Sequence, residues 1–210
     1  TLSIHSFPTR RSSDLEIMKK KESAFSSIIS PILVLVLICF VVTFALAMAY
    51  GVTKPIIDKN NLKESNKAKS ELIPEAKGEF KNYDGKLVVV QKNKIYVTEA
   101  SKAVNGSGVV VTVNSNSYGG TLTAMVGIDN KGKITNVKIM SAQDTPGIGT
   151  KAQDPKHLGQ YKGLSDLGSE TIKDSKSKVK YITGASISSQ AIHEAVFAGL
   201  KQYKAMGGAK

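Results

Sequence analysis

The stretch YITGASISSQAIHEAV, residues 181–196, places several side-chain hydroxyls around a glycine at the start of a predicted helix. Thr183 and Ser186 bracket Gly184 and Ala185. A hydroxyl at this position commonly caps the helix, and such a cap contributes about 1 kcal/mol of stability. The candidates for the cap are Ser186, Ser188 and Ser189. Because the free N–H groups and the dipole of a helix start also favour a phosphate, one hydroxyl could instead carry a phosphate-bearing group.

Two glycine-containing stretches lie upstream of this motif. Residues 117–120 read SYGG and lead into an alternating strand, where paired glycines permit a turn, a bulge or the close approach of another group. Residues 144–151 read DTPGIGTK, in which Thr-Pro-Gly predicts a stiff turn. The two glycines of the second stretch leave the backbone bare, so a flat ligand could lie against it. A purely structural loop is the alternative interpretation.

In order and spacing, the three stretches resemble the FMN-binding domain shared by the G subunit of the Rnf electron-transport complex and the C subunit of the Na+-translocating NADH:quinone reductase. The resemblance covers residues 53–203. It implies FMN held through a phosphoester on the last hydroxyl of a [Ser/Thr]-Gly-Ala-[Thr/Ser] motif, which here is Ser186. The other residues that the resemblance implies around the cofactor are Tyr118, Gly119, Gly120, Thr145, Pro146, Gly147, Ile148, Gly149, Lys151, Thr183, Gly184 and Ala185.

Three positions depart from the pattern of that family. Lys180 stands where the family usually has Asp, three residues before the first hydroxyl of the attachment motif. Ser186 stands where Thr is commoner, and Asp144 replaces the usual Glu. The resemblance implies a Mg-dependent flavin transferase that reads this local sequence, so Lys180 bears on the efficiency of attachment.

The function implied by the resemblance is that of an electron-transfer subunit with covalent FMN. It would act in a membrane-bound, ion-translocating oxidoreductase that couples electron flow between ferredoxin and NAD+ to the movement of Na+ or H+ across the membrane. The expected partners are the other membrane subunits, the flavin transferase and membrane lipid, and the chain alone would have no complete active site. The alternatives are a stand-alone flavinylated extracellular carrier and a non-redox, membrane-tethered interaction module whose flavin site has decayed.

A long uncharged segment separates two lysine-containing regions. Residues 23–53 carry no charge, and residues 28–50 are dominated by large apolar side chains. As a helix, residues 28–50 would extend roughly 35 Å, enough to cross a bilayer core. A cleaved signal peptide is the alternative, but its apolar region usually has only about 7–15 residues. Lysines flank the segment on both sides, so charge alone does not orient it.

The resulting domain organisation combines this segment with the family resemblance. We expect a cytoplasmic N-terminus at 18–27, a transmembrane helix at 28–50, a juxtamembrane linker at 51–81 and an extracytoplasmic FMN-binding domain at 82–210 of a cell-membrane protein. Residues 7–15, FPTRRSSDL, resemble a translated sequencing adapter. We therefore expect residues 1–17 to be non-native and the natural start to be Met18, the alternative being a natural disordered basic N-terminus.

The charge and the metal-binding residue types exclude several classes of function. The net charge of +12 comes from scattered lysines, with no arginine after Arg11 and no nucleic-acid motif, so we expect a solvated surface and no nucleic-acid partner. The single cysteine, Cys39, lies in the apolar segment and allows no intramolecular disulfide. His5, His157 and His193 lack metal-ligand spacing. We predict no metal site and surface positions for the histidines.

The remaining pattern predicts an α+β fold. Apolar runs at 87–90 and 95–97 flank a polar turn, a β-branched run covers 109–113, and residues 121–128 alternate as in a half-buried strand. With a turn at 129–132 and a strand around 137–139, these runs predict an antiparallel meander. Apolar residues between 192 and 203 recur at spacings of three and four. They predict a C-terminal helix that packs on the sheet and ends at Gly207-Gly208.

Overall fold

The computed structural model describes residues 12–92 and 94–209, with side chains from residue 28 onward. Residues 1–11, most of the segment expected to be non-native, lie outside the described residues. The chain divides into two compact units that meet between Asn60 and Asn61. Each unit is described below by itself.

The first unit consists of most of a long helix, α1 (Ser12–Leu72). Its large apolar side chains between residues 28 and 57 are exposed on all sides of the helix. Among the described residues, this helix alone is long and apolar enough to cross a membrane. The helix contains both Pro31 and Pro55. It continues beyond the predicted span and through much of the predicted linker, as far as Leu72.

The second unit contains one antiparallel sheet. The six strands are β1 (Phe80–Asn82), β2 (Val89–Gln91), β3 (Ile95–Ala103), β4 (Gly108–Ser117), β5 (Gly120–Asp129) and β6 (Ile134–Ser141). Their order is β1-β3-β4-β5-β6, and β2 also pairs with β3. Consecutive strands β3 to β6 are neighbours in register, which confirms the predicted meander and the α+β fold.

Two helices follow the sheet, the short α2 (Pro155–Leu158) and the long α3 (Ser186–Ala205). The predicted C-terminal helix is thus confirmed. Its apolar stripe is fully buried at Ile192 and Val196, in one core with the β4 and β5 side chains. The helix ends in a Schellman motif, because Gly208 N–H bonds to Tyr203 O (3.1 Å) and Gly207 N–H to Lys204 O (3.1 Å). Gly207, the C′ residue, has the positive φ that this cap requires.

The opposite face of the sheet is covered by the C-terminal end of α1 and the turn after it. A second core forms there from Ala68, Leu72, Ile73, Ala76, Ala103, Val110 and Met125. Residues 68–76, which the sequence places in a linker, therefore pack on the sheet, and residues 80 and 81 of the predicted linker belong to β1. For the same reason β5 is buried on both faces from Ala124 to Ile128 rather than half-buried as predicted. Gly127 permits this packing, since a Cβ there would lie 2.9 Å from Leu72 Cβ.

A buried lysine fixes the end of α1 to the sheet. Lys69 Nζ donates to Glu99 Oε1 at 2.6 Å and to Ser101 Oγ at 3.0 Å. The hydroxyl of Ser101 in turn donates to Asn82 Oδ1 at 3.0 Å, which connects the network to β1. The Lys69 side chain is 7% exposed, so its ammonium group depends on these partners.

We predict that Lys69→Ala lowers the free energy of unfolding of the second unit by about 1–3 kcal/mol, because it leaves buried polar partners without a donor. Lys67→Ala removes the same charge from an exposed position of the same helix and should change it by less than about 0.5 kcal/mol. Urea unfolding of the full chain in detergent, followed by tyrosine near-ultraviolet circular dichroism, measures both. Equal effects of the two variants would contradict the role given to Lys69.

Candidate cofactor-binding site

A cavity of about 300 Å³ lies at the N-terminal end of α3 and brings the three sequence stretches together. Its lining residues are Tyr118, Thr145, Ile148, Gly149, Gly184, Ala185, Ser186, Ile187 and Ser188. This volume is at the lower end of the range for ligand-binding cavities. Stretches separated by up to about seventy residues in sequence thus form one site.

The start of α3 leaves the Ser186 hydroxyl available. The N-cap residue is Ala185, and no side chain caps the helix. None of the three serine candidates for the cap therefore serves as one, because all three already lie within the helix. Ser189 Oγ accepts instead from Ile182 N–H at 3.1 Å, which closes the preceding turn. The hydroxyl of Ser186 is half-buried at the cavity and has no hydrogen-bond partner among the described residues.

The backbone around this start is suited to an anion. Gly184 has φ +86°, and Ala185 N–H bonds to Ile182 O at 3.0 Å, so the chain turns tightly into the helix. Ser189 N–H makes an intrahelical bond to Ala185 O at 2.8 Å. The N–H groups of residues 186–188 precede that bond and have no carbonyl one turn earlier in the helix. Because these residues line the cavity, the positive end of the helix dipole favours a negative group there.

The carboxylate of Asp144 joins two of the stretches. Ser117 Oγ donates to both of its oxygens at 2.8 Å, and Gly119 N–H donates to Oδ1 at 3.0 Å. Asp144 is buried, at 5% exposure, so the carboxylate depends on these two donors, the single O–H of Ser117 being shared between its oxygens. Gly119 is required here, since a Cβ would lie 1.9 Å from Gln143 O. Nothing in the sequence indicated this bonding beyond the acidic residue itself.

The loop after Asp144 approaches α3 through its second glycine. A Cβ on Gly149 would lie 2.8 Å from Asp144 Cβ and 2.9 Å from Ser188 Oγ. Gly147 has φ +75°, and its N–H donates to Thr150 Oγ1 at 2.9 Å, which sets the predicted turn. The two glycines have different roles. Gly147 adopts the positive φ of the turn, and Gly149 lets the loop approach α3 without a steric clash.

The predicted site residues divide into two groups. Tyr118, Thr145, Ile148, Gly149, Gly184, Ala185 and Ser186 line the cavity. The others lie within two residues of a lining residue in sequence but do not line the cavity: Gly119, Gly120, Pro146, Gly147, Lys151 and Thr183. Ile187 and Ser188 line the cavity and were not predicted as site residues. Ser188 carries one of the hydroxyls noted in the sequence, whereas nothing in the sequence marked Ile187.

Three large apolar side chains are exposed at this cavity. Tyr118 is 73% exposed, Ile148 55% and Ile187 54%. Each comes from a different element, namely the β4–β5 turn, the loop after β6 and the first turn of α3. Exposed apolar side chains beside a cavity commonly mark a binding surface. The cavity therefore combines an apolar rim with an anion-favouring helix start.

The prediction of surface histidines is wrong for His157 and His193, which are 2% and 0% exposed. His193 lies on the buried face of α3, where its Nε2 is 2.9 Å from Ser169 O and its Nδ1 is 3.4 Å from Tyr161 Oη. Burial lowers the pKa of His193 and raises that of Tyr161, so both side chains are neutral. In the part of the chain that the structure describes, no group of His, Cys, Asp or Glu could hold a metal ion.

Comparison with known proteins identifies the domain that contains this cavity. Residues 117–201 match the family described as FMN-binding domain, a range that includes every residue lining the cavity. This part of the chain is therefore similar to the FMN-binding domain family. Ser186 lines the cavity together with Thr145, Ile148 and Gly149 of the loop after β6.

Curated relatives extend the similarity over most of the chain. The G subunit of the proton-translocating ferredoxin:NAD(+) oxidoreductase complex of Clostridium ljungdahlii is 28% identical, over 84% of this chain and 91% of its own. The G subunit of the Na(+)-translocating ferredoxin:NAD(+) oxidoreductase complex of Acetobacterium woodii is 27% identical, with 82% and 89% covered. The crystal structure of Shewanella oneidensis NqrC aligns at a TM-score of 0.38 and 22% identity, over 51% of this chain and 61% of that one.

We predict that Gly119→Ala lowers the free energy of unfolding by about 1–3 kcal/mol, because the new methyl group collides with Gln143 O. Gly159→Ala is the matched control, since Gly159 has φ −61° and no atom lies within 4 Å of a Cβ there. It should leave the stability unchanged or slightly higher. Thermal unfolding of the full chain compares the two variants, and a tolerated Gly119→Ala would show that the two loops are not held together as described.

Proposed function

We propose that this chain is an electron-transfer subunit of a membrane-bound, ion-translocating oxidoreductase of the Rnf type and carries FMN covalently on Ser186. The observation that carries the proposal is the cavity in which three distant stretches surround an unpartnered hydroxyl at a helix N-terminus. The FMN-binding domain family supports the cofactor, and the relatives named as G subunits support the assembly.

The residues at the cavity fit the two chemical parts of FMN. The phosphate belongs beside Ser186 and the N–H groups of residues 186–188, where the helix dipole favours negative charge. The flat ring belongs between the exposed side chains of Tyr118, Ile148 and Ile187, with the bare backbone at Gly149 beside it. When bound, FMN supplies one- or two-electron transfer, and the protein sets its position. The cavity is small, so we expect part of the ring to stay at the surface, accessible to an electron partner.

Attachment uses FAD as the co-substrate of a flavin transferase. The Ser186 hydroxyl attacks the phosphorus of the FMN half, a Ser–O–P bond forms and the pyrophosphate P–O bond breaks. AMP leaves, and the hydroxyl proton passes to a base of the transferase. The helix N-terminus stabilises the resulting negative phosphodiester by only about 0.3–1 kcal/mol, so retention of the cofactor depends on the covalent bond.

Lys180 is the departure that bears most on this attachment. It is exposed, and its backbone is held by Gln160, whose Oε1 accepts from Lys180 N–H at 3.0 Å. The side chain is therefore free to meet the transferase while its backbone position is fixed. Where the family usually presents a carboxylate, the transferase would meet an ammonium group. A module whose flavin site has decayed is the second candidate function, and Lys180 is the observation that favours it.

We predict that the full chain, co-expressed with a flavin transferase, gives a fluorescent band on a denaturing gel and that Ser186→Ala gives none. Because Ser186 does not cap α3, the alanine variant should fold with stability changed by less than about 0.5 kcal/mol. Ser186→Thr should keep the band, since it retains the hydroxyl. Thr183→Ala is the matched control, because it removes the other hydroxyl of the motif from an exposed position and should leave the band unchanged.

Three other outcomes of the gel experiment have different meanings. A fluorescent Ser186→Ala would place the attachment on another residue. A dark wild type that becomes fluorescent as Lys180→Asp would show a live site that the transferase reads poorly. A chain that is dark in both forms would support the decayed module and contradict the proposal.

We predict that the apolar segment of α1 anchors the chain with residues 18–27 in the cytoplasm and residues from Lys54 onward outside. Protease added to intact spheroplasts should digest a C-terminal tag and spare an N-terminal tag, because only the former would be accessible. Lysed cells provide the control in which both tags are digested. A protected C-terminal tag with a cleaved N-terminal tag would show the inverted topology.

A further inference from the structure

A second cavity, of about 340 Å³, lies on the domain. It shares no lining residue with the first cavity, at the N-terminal end of α3. Its walls include the charged residues Asp154, Lys156 and Lys180, the polar residues His157 and Gln160, and the ring of Tyr181. The two cavities are adjacent along the chain, because residues 180–182 line the second and residues 184–188 line the first. Nothing in the proposed function makes use of the second cavity.

Hydrogen bonds around Gln160 fix the orientation of its amide. Its Oε1 accepts from Lys180 N–H at 3.0 Å, and its Nε2 donates to Lys180 O at 3.3 Å. The same Nε2 lies 3.1 Å from Nδ1 of His157. An amide nitrogen is only a donor, so Nδ1 must be the acceptor in this contact. The neutral His157 ring consequently carries its hydrogen on Nε2.

The Nε2–H group of His157 is a buried donor without an acceptor. Burial is the main cause that lowers the pKa of His157, so the ring is neutral near pH 7. Nε2 is buried and has no hydrogen-bond partner among the described residues. Buried polar groups without a partner are rare in folded proteins. Because His157 is one of the residues that line the second cavity, an oxygen acceptor bound there is the candidate partner for this N–H group.

The charges on the cavity wall favour a negatively charged acceptor. Lys156 and Lys180 contribute two positive charges against the single carboxylate of Asp154. Neither lysine forms an ion pair within the described part of the chain. Both ammonium groups are therefore available as counter-charges.

We propose that this cavity binds an oxyanion group, a phosphate or a carboxylate, whose oxygen accepts from His157 Nε2–H between Lys156 and Lys180. Gln160 is the positioning residue, because it sets the tautomer of His157 and holds the backbone of Lys180. The ring of Tyr181 offers an apolar surface to the body of a ligand that carries the anionic group. This binding does not depend on FMN.

The experiment uses full-length protein in non-ionic detergent with [15N]histidine, since the chain has three histidines and gives few imidazole resonances. Sodium phosphate, sodium acetate and sodium chloride are titrated in parallel at matched ionic strength. We expect phosphate, acetate or both to shift the His157 Nε2 resonance saturably, and chloride to leave it unchanged. The His193 resonance is the internal control, because its Nε2 already has Ser169 O as a partner.

Two charge-reversal variants test whether the site is specific. Lys180→Asp should weaken the binding at least tenfold. Lys131→Asp makes the same charge change at an exposed lysine in the β5–β6 turn and should weaken it less than twofold. The resonance of His157 is assigned by its loss from the spectrum of His157→Gln.

The proposal is overturned if neither phosphate nor acetate shifts the His157 resonance saturably, or if both Asp variants weaken binding equally. It is also overturned if chloride produces the same shift. Repeating the titration with Ser186→Ala distinguishes binding at this site from binding in the first cavity, at the N-terminal end of α3. An unchanged affinity in that variant supports the second site whether or not the chain is flavinylated, and a lost affinity would place the anion at the α3 N-terminus instead.

Discussion

The buried carboxylate of Asp144 is the interaction on which the geometry of the cofactor site depends. It accepts from Ser117 at the end of β4 and from the backbone N–H of Gly119 in the following turn. The residue itself begins the loop that carries Thr145 to Gly149, so one side chain holds two of the three stretches against each other. A carboxylate that is removed from water needs such donors, and a strand end and a turn amide are the groups available here. The third stretch, residues 181–196, contacts this loop because Gly149 has no side chain and lets the loop lie against Ser188 of α3.

The sheet gives this arrangement a rigid support because both of its faces are covered. On one face α3 packs its apolar stripe, and the buried pair of His193 and Tyr161 lies in the same layer. On the other face the end of α1 contributes Leu72 and Ile73, and the ammonium group of Lys69 is bonded to side chains of β3. The α3 N-terminus is therefore held by the core that α3 forms with its face of the sheet, which includes Ala185 and Ile192.

The two cavities that the 180–188 segment helps to line have different chemistry. The first has an apolar rim and the free N–H groups of a helix start, which suit a flat ring with a phosphate. The second has lysine side chains and a buried imidazole N–H, which suit an oxyanion. The segment between them bears on both cavities, because Gln160 fixes its backbone at Lys180 and Gly184 turns it into α3. Lys180 thus places a positive charge on the wall of the second cavity.

Local pattern was sufficient to predict the strands, the C-terminal helix with its glycine stop and the apolar segment, since each depends on periodicity or on a cap within a few residues. The motif residues likewise identified most of the cavity lining, including Ser186. The sequence could not show that Ser186 leaves α3 uncapped, that Asp144 bonds to Ser117 and Gly119, or that Lys69 and Leu72 belong to a core rather than a linker. The same is true of His157 and His193, which no local pattern marks as buried. Each of these depends on which distant groups the packed sheet brings within hydrogen-bond or van der Waals distance, and only the tertiary structure decides that.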